Sequence, residues 1–246
     1  MLFLIGLGLS EGDISIKAIN AIKKCDAVYA EFYTNKFLGD LKNIEKITGK
    51  KIEILSREKT ESDFIINEAK KKSIALLIAG DPLTATTHTE LLFEAKKQKI
   101  KTEIIHAPSI FTAVAESGLQ LYKFGRTVTL AFPEKGFEPE SPYEMIFENK
   151  KSGLHTLLLL DTKNGEKFMT IKEGLQILLN IESKLNKKVI DEKTKVIACC
   201  ALGSREQIIK YDSVKDLLKK DMKETPATIL IPGKLNFKEE EFLETL

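Results

Sequence analysis

Cysteine, net charge and long apolar runs are all scarce in this chain, and each shortage closes off a class of function. Among 246 residues there are three cysteines, Cys25, Cys199 and Cys200. The last two are adjacent, which does not suit a local disulfide, and no pair has metal-ligand spacing, so neither a disulfide framework nor a bound metal is expected. Cys199 and Cys200 lie in an apolar run, where cysteine behaves as a small hydrophobe. A reducing compartment is the simplest setting. The formal net charge is +2, from 38 basic and 36 acidic residues, too small to draw in nucleic acid or an anionic membrane. The lysine-rich stretches Lys70-Lys71-Lys72 and Lys96-Lys97-Gln98-Lys99 mix with acids and read as solvated helix faces. No run approaches the ~18 apolar residues of a membrane helix. The opening Met1–Ile5 run lacks a basic flank and is followed by Glu11 and Asp13, so a strand is expected there rather than a signal peptide. There is no Gly-x-Ser-x-Gly elbow, His-Glu-x-x-His pair or phosphate loop, which disfavours hydrolase and kinase chemistry. The histidines His88, His106 and His155 are far apart and carry no acid at triad-like or zinc-like spacing, which assigns them mainly to structure.

What remains is an α/β pattern. Apolar residues make up 43% and charged residues 30% of the chain, which suits one large or two smaller globular domains. Strands are predicted at Leu2–Ile5, Ala27–Glu31, Lys51–Leu55, Ile74–Ala79 and Glu103–His106. Between them lie a helix carrying Ala18, Ala21, Ile22 and Cys25 with Asp13 as its cap, a helix over Asp63–Lys71, and a helix opened by a Thr87/Glu90 capping box. Such alternation implies a parallel sheet with helices on its faces. The second half is less regular. Strands are predicted at Thr127–Phe132, His155–Leu160, Lys195–Ala201, Glu206–Tyr211 and Ala227–Ile231, with a proline-marked loop at Pro133, Pro139 and Pro142 and a Thr170/Glu173 capping box. Only Leu202-Gly203-Ser204-Arg205 joins two of these strands, a hairpin length that makes the second sheet mixed. Pro108, Gly118 and Gly125 place the domain boundary near residues 107–125.

The segment Gly80-Asp81-Pro82-Leu83-Thr84-Ala85-Thr86-Thr87-His88 is the most informative. It follows a buried strand and precedes a helix, and ligands of open parallel sheets sit outside the carboxyl ends of strands. Asp81 either shapes a turn or accepts hydrogen bonds from ribose hydroxyls or an ammonium group. Gly6-Leu7-Gly8 closes the first strand. With Glu31 at the end of the second it approaches a dinucleotide fingerprint, but Gly12 comes one residue late. The loop is compatible with a dinucleotide, another ligand or a structural turn. Ser109 is a natural N-cap for Ile110–Ala115 and is compatible with ligand contact too. Tyr122-Lys123-Phe124-Gly125-Arg126 either lines a cleft or covers a hydrophobic edge.

Taken together, several strings closely resemble the diphthine synthase family, within the tetrapyrrole-methylase-like class of S-adenosylmethionine-dependent methyltransferases. They are Phe3-Leu4-Ile5-Gly6-Leu7-Gly8-Leu9, Ala30-Glu31-Phe32-Tyr33-Thr34, Gly80-Asp81-Pro82-Leu83, Ala85-Thr86-Thr87-His88, His106-Ala107-Pro108-Ser109-Ile110, Leu121-Tyr122-Lys123-Phe124-Gly125 and Gly153-Leu154-His155-Thr156-Leu157. The likeness runs in order along nearly the whole chain. It implies a two-domain tetrapyrrole-methylase-like α/β fold, with a parallel-sheet domain over 1–110 and a mixed-sheet domain over 111–246, and S-adenosyl-L-methionine bent into the cleft between them. It implies methylation of the amino group of aminocarboxypropyl-histidine on elongation factor 2, giving diphthine in diphthamide biosynthesis, by a cytoplasmic homodimer. By position, the implied cofactor contacts are Leu9, Asp81, Thr84, Ser109, Ile110 and Leu160, joined by Leu202 and Thr228. It implies no nucleic-acid or membrane partner, and no catalytic side chain or metal is assigned. Competing readings are a methyltransferase of the same fold acting on a corrinoid or ribosomal RNA, an NAD-dependent oxidoreductase using Gly6, Gly8 and Glu31, and a noncatalytic module that binds elongation factor 2 near Lys123 and Arg126.

Overall fold

The computed structural model describes residues 1–136, 138–163 and 165–246. It has two compact units. The first is Met1–Phe111, joined by a short return segment that includes Gly165; the second is Thr112–Lys163 with Lys167–Leu246.

The first unit is built as β1 (Leu2–Gly6), α1 (Ile16–Lys24), β2 (Ala27–Glu31), α2 (Leu41–Thr48), β3 (Ile52–Leu55), α3 (Arg57–Glu61), α4 (Phe64–Lys71), β4 (Ile74–Ile78), α5 (Thr89–Lys97) and β5 (Thr102–Ile105). The five strands form one sheet in the order β3-β2-β4-β1-β5, and every pairing is parallel. β1 and β4 are buried along their whole length, the continuous apolar run that a sheet covered on both faces requires. Alternate residues divide between the faces. Phe3, Ile5, Ala75 and Leu77 pack with Ala18 and Ile22 of α1 and Ile44 of α2. Leu2, Leu4, Ile74 and Leu76 pack with Ile65 and Ala69 of α4 and Ala95 of α5. The parallel sheet expected from the sequence is therefore present, with α2 and α3 as additional helices.

The caps differ from expectation. Ser15, not Asp13, accepts from the Ala18 N–H and starts α1. Asp13 instead accepts from the N–H groups of Leu9 and Ser10 and closes the loop before it. His88 stands at the start of α5 with no side-chain cap bond, so Thr87 and Glu90 do not form the expected box.

A short helix, α6 (Ile110–Ala113), leads onward. The second unit then contains β6 (Val128–Leu130), α7 (Glu140–Lys151), β7 (Thr156–Leu160), β8 (Thr162–Lys163), β9 (Lys167–Phe168), α8 (Ile171–Leu185), β10 (Lys195–Cys200), β11 (Ile208–Ser213), α9 (Val214–Leu217), β12 (Ala227–Ile231) and α10 (Phe237–Leu243). Its main sheet runs β11-β10-β12-β7-β6. β6 and β7 are parallel and the other pairs antiparallel, the mixed sheet the hairpin predicted. Residues 201–207 separate β10 from β11, a longer turn than expected. Pro142 does not lie in a loop but in the first turn of α7, where its missing N–H costs nothing. Thr170 and Glu173 do form the expected capping box. Cys25, Cys199 and Cys200 are free and buried, and burial pushes the Cys25 thiol up to about 11 and Cys200 up to about 12. Among the described residues no helix is long and apolar enough to cross a membrane, and no three His, Cys, Asp or Glu side chains are grouped to hold a metal ion.

Two strings that resemble the family meet inside this unit. Glu239 of α10 accepts from Lys123 Nζ, from the Gln120 N–H at 3.1 Å and from His155 Nε2 at 3.0 Å. His155 Nδ1 accepts from the Gly233 N–H at 2.9 Å, which assigns the proton to Nε2. Burial opposes ionisation of Glu239, but Lys123 and the surrounding N–H donors outweigh it and hold the carboxyl down at about 2. The Lys123 and His155 motifs thus anchor α10. Replacing Glu239 by Ala leaves a buried imidazole and a half-buried ammonium unpaired and should cost about 3–5 kcal/mol in chemical denaturation. Because the folded carboxyl is depressed, its contribution is complete above the ordinary value of 4.5 and is lost as pH falls toward about 2. The stability gap between wild type and variant should narrow over that window.

Candidate active site

The carboxyl end of the first sheet contains a topological switch. β1 passes the chain to α1 on one face, and its neighbour β4 passes it to α5 on the other. Loops leaving adjacent strands in opposite directions open a crevice where ligands bind. Gly6-Leu7-Gly8-Leu9 and Gly80-Asp81-Pro82-Leu83 flank this point.

The two loops are held backbone to backbone. Gly8 and Gly80 exchange hydrogen bonds, 3.2 Å from the Gly8 N–H to the Gly80 carbonyl and 2.8 Å in return, and the Leu7 N–H donates to Ile78 O at 2.9 Å. A Cβ on Gly6 would lie 2.6 Å from the Gly80 carbonyl and 2.8 Å from the Ala107 Cβ. Gly8 has φ +77°, and a Cβ there would strike Asp13. These glycines are demanded by close approach and by left-handed backbone.

Asp81 is buried and fully engaged. Oδ1 accepts from the Leu83 N–H at 3.0 Å and the Thr84 hydroxyl at 3.2 Å, and Oδ2 from the Ala107 N–H at 3.3 Å. His106 Nδ1 lies 2.7 Å from Oδ2. Burial opposes its ionisation, yet the donors of Leu83, His106 and Ala107 outweigh burial and hold the carboxyl below the usual range. The aspartate therefore shapes its own turn and also ties the end of β4 to the end of β5. His106, assigned to structure from the sequence, is its partner; a separation of 25 residues concealed that.

The structure brings Leu9, Asp81, Thr84, Ser109 and Ile110 to this one edge of the first sheet, after β1, β4 and β5. Ser109 is buried beneath Gly80, whose added Cβ would lie 3.8 Å from the serine Cβ. In the second unit, the pairing of Thr228 with Leu159 and with Cys199 places Leu160, Leu202 and Thr228 along a single edge of its sheet. Leu160 is half-buried and Leu202 buried, while the Thr228 hydroxyl donates to Leu158 O at 2.6 Å. Two residues beyond Leu160, the buried Thr162 hydroxyl has no hydrogen-bond partner among the described residues.

Glu31 does not behave as a ribose-binding acid. It is fully buried, with Thr34 donating to both carboxylate oxygens and His88 Nε2 3.3 Å away. The nicotinamide reading loses its acidic residue for that reason.

Comparison with known proteins identifies the relatives. A family model for tetrapyrrole (corrin/porphyrin) methylases matches residues 1–218. The diphthine synthase of Methanocaldococcus jannaschii is 47% identical over 253 residues, spanning 100% of this chain and 98% of its own. That of Methanococcus vannielii is 45% identical, with 100% and 98% covered. A crystal structure of a diphthine synthase superposes with a TM-score of 0.89 at 33% identity, covering 100% of this chain and 95% of the other.

The tight contact at the strand tips makes a direct prediction. Gly6→Ala should destabilise the first unit by about 1–3 kcal/mol through overpacking, read as a lower urea midpoint with an unchanged slope.

Proposed function

This chain belongs to the tetrapyrrole (corrin/porphyrin) methylase family, and within it to the diphthine synthases; on that premise we propose that it methylates the amino group of aminocarboxypropyl-histidine on elongation factor 2, with S-adenosyl-L-methionine as donor. It is a methyltransferase by family. The observation that carries the proposal is the convergence of the Gly6–Leu9, Gly80–Thr84 and Ser109–Ile110 segments on the carboxyl edge of one parallel sheet, at its switch point.

The residues fit a nucleoside cofactor. Gly6, Gly8 and Gly80 let the tips of β1 and β4 close on one another, which brings backbone N–H and carbonyl groups of both loops to one edge of the sheet. The ionised Asp81 gives the edge a fixed negative charge suited to a cationic group. Its two oxygens already accept from Leu83, Thr84, His106 and Ala107, about the full capacity of a carboxylate. We therefore assign Asp81 to holding the loop and supplying charge rather than to direct capture of ribose hydroxyls. Leu9, Thr84, Ser109 and Ile110 would contact the cofactor from the first unit. Leu160, Leu202 and Thr228 are the contacts that the family resemblance proposes in the second unit, where they share one edge of its sheet.

When bound, S-adenosylmethionine supplies an electrophilic methyl to a neutral amine. The work left to the protein is positioning and exclusion of water, which can supply up to about 7–11 kcal/mol. No acid–base dyad is required of this edge, and the same reading places the enzyme in the cytoplasm as a homodimer. The test is incubation of the protein with S-adenosylmethionine and elongation factor 2 carrying aminocarboxypropyl-histidine, followed by mass spectrometry. The modified peptide should gain methyl groups; no gain on that peptide, or methylation of a corrinoid or ribosomal RNA instead, defeats the assignment. In calorimetry, Asp81→Ala should weaken cofactor binding at least tenfold, about 1.4 kcal/mol.

A further inference from the structure

One buried pair of ionisable side chains is left unused by the site as described. Glu31 closes β2 and His88 ends the loop that leaves β4, and both are buried, His88 at 2% exposure. Glu31 Oε1 lies 3.3 Å from His88 Nε2. Glu31 is otherwise well held: the Thr34 hydroxyl donates to Oε1 at 2.6 Å and the Thr34 N–H to Oε2 at 3.2 Å. His88 is not. Beyond a contact with the Pro82 carbonyl, neither of its ring nitrogens completes a hydrogen bond of sound geometry among the described residues, although both are out of reach of solvent. A buried polar group left in that condition costs about 1–3 kcal/mol.

The loop between β4 and α5 is stretched between two anchors. At its start Asp81 binds Leu83, Thr84, His106 and Ala107; at its end stands His88. Between them Ala85 takes φ +55°, a left-handed conformation that costs a non-glycine residue roughly 1–2 kcal/mol. The segment that carries Asp81 and Thr84 is therefore under strain, and its placement depends on both ends. Burial pushes the Glu31 carboxyl upward and the His88 imidazole down to about 4. Burial opposes charge on both groups, and the 3.3 Å between Glu31 Oε1 and His88 Nε2 lets one proton held between them satisfy both atoms at once.

We propose that Glu31 and His88 are a positioning pair for methyl transfer: a hydrogen bond between them, completed when the cofactor seats, fixes the far end of the Gly80–His88 loop and so the placement of Asp81 and Thr84. This rests on the cofactor reading given above. Neither residue touches the reacting atoms; both act through the loop. The pair joins two of the strings that resemble the family, Ala30-Glu31-Phe32-Tyr33-Thr34 and Ala85-Thr86-Thr87-His88, which the site itself does not use.

The experiment compares the full-length wild type with Glu31→Gln, Glu31→Leu and His88→Phe by calorimetry with S-adenosylmethionine, each checked by thermal melting. Glu31→Leu and His88→Phe should bind the cofactor tenfold or more weakly, while Glu31→Gln, whose amide N–H can donate to Nε2, should stay within about threefold of wild type. In the wild type, nitrogen NMR of the His88 ring should show an Nε2 resonance that moves on adding cofactor, a response that a purely structural residue would not give and that decides the matter if a variant fails to fold. Equal affinity in all four proteins, equal loss in the Gln and Leu variants, or a His88 resonance indifferent to cofactor overturns the pair. A wild type that binds no cofactor is a different result: it defeats the cofactor reading, and this inference with it.

Discussion

The contact on which the rest of this molecule depends is the pairing of Gly8 with Gly80. Two loops that leave adjacent parallel strands in opposite directions would ordinarily splay apart. Here they are bonded backbone to backbone, with Gly6 packed beneath them against the Gly80 carbonyl and Ala107. A side chain at Gly6 or Gly8 would drive them apart, and the left-handed φ at Gly8 and Gly80 would remain strained for any L residue even if space were made. Everything assigned to the edge of the first sheet is placed relative to that join. Asp81 follows it directly, and Leu9 is held by Asp13 on the opposite side.

Carboxylate and imidazole recur together. Each of the three histidines lies against an acid that is distant in sequence: His106 against Asp81, His155 against Glu239 and His88 against Glu31. The three pairs are not equivalent. Asp81 and Glu239 collect enough N–H donors to remain ionised against burial. At Glu31 burial outweighs the donors of Thr34 and Tyr33 and pushes the carboxyl up. The balance between desolvation and the donors and charges that reach the acid decides which outcome occurs. The first two pairs act as fixed negative clasps, and the third is left incomplete beside the loop that carries the candidate cofactor contacts.

The chemistry suits such a scaffold. Transfer of a methyl group to a neutral amine asks for alignment and dryness more than for a proton shuttle. A rigid edge of glycine turns, buried serine and threonine hydroxyls and one ionised aspartate supplies alignment, and nothing in that arrangement requires a metal or a nucleophilic side chain. The thiols fit the same picture: burial pushes all three upward, away from the reactive thiolate.

The amino-acid order by itself determined the local and periodic features. Fully apolar runs at β1 and β4 specified strands covered on both faces, the strand–helix alternation specified a parallel sheet, and the Thr170/Glu173 spacing specified a helix start, because each depends on neighbours within a few residues. The glycine turns and Gly80-Asp81-Pro82 also marked the strand tips that the structure gathers on one edge of the first sheet. Tertiary structure alone decided who meets whom. That Asp13 clasps the Leu9 loop while Ser15 caps α1, that His106 serves Asp81, that Lys123 and His155 anchor α10 through Glu239, and that Glu31 is sealed against His88 all follow from strand order, which puts β4 between β2 and β1. Pairings of that kind depend on which strands lie side by side, and spacing along a chain carries no record of it.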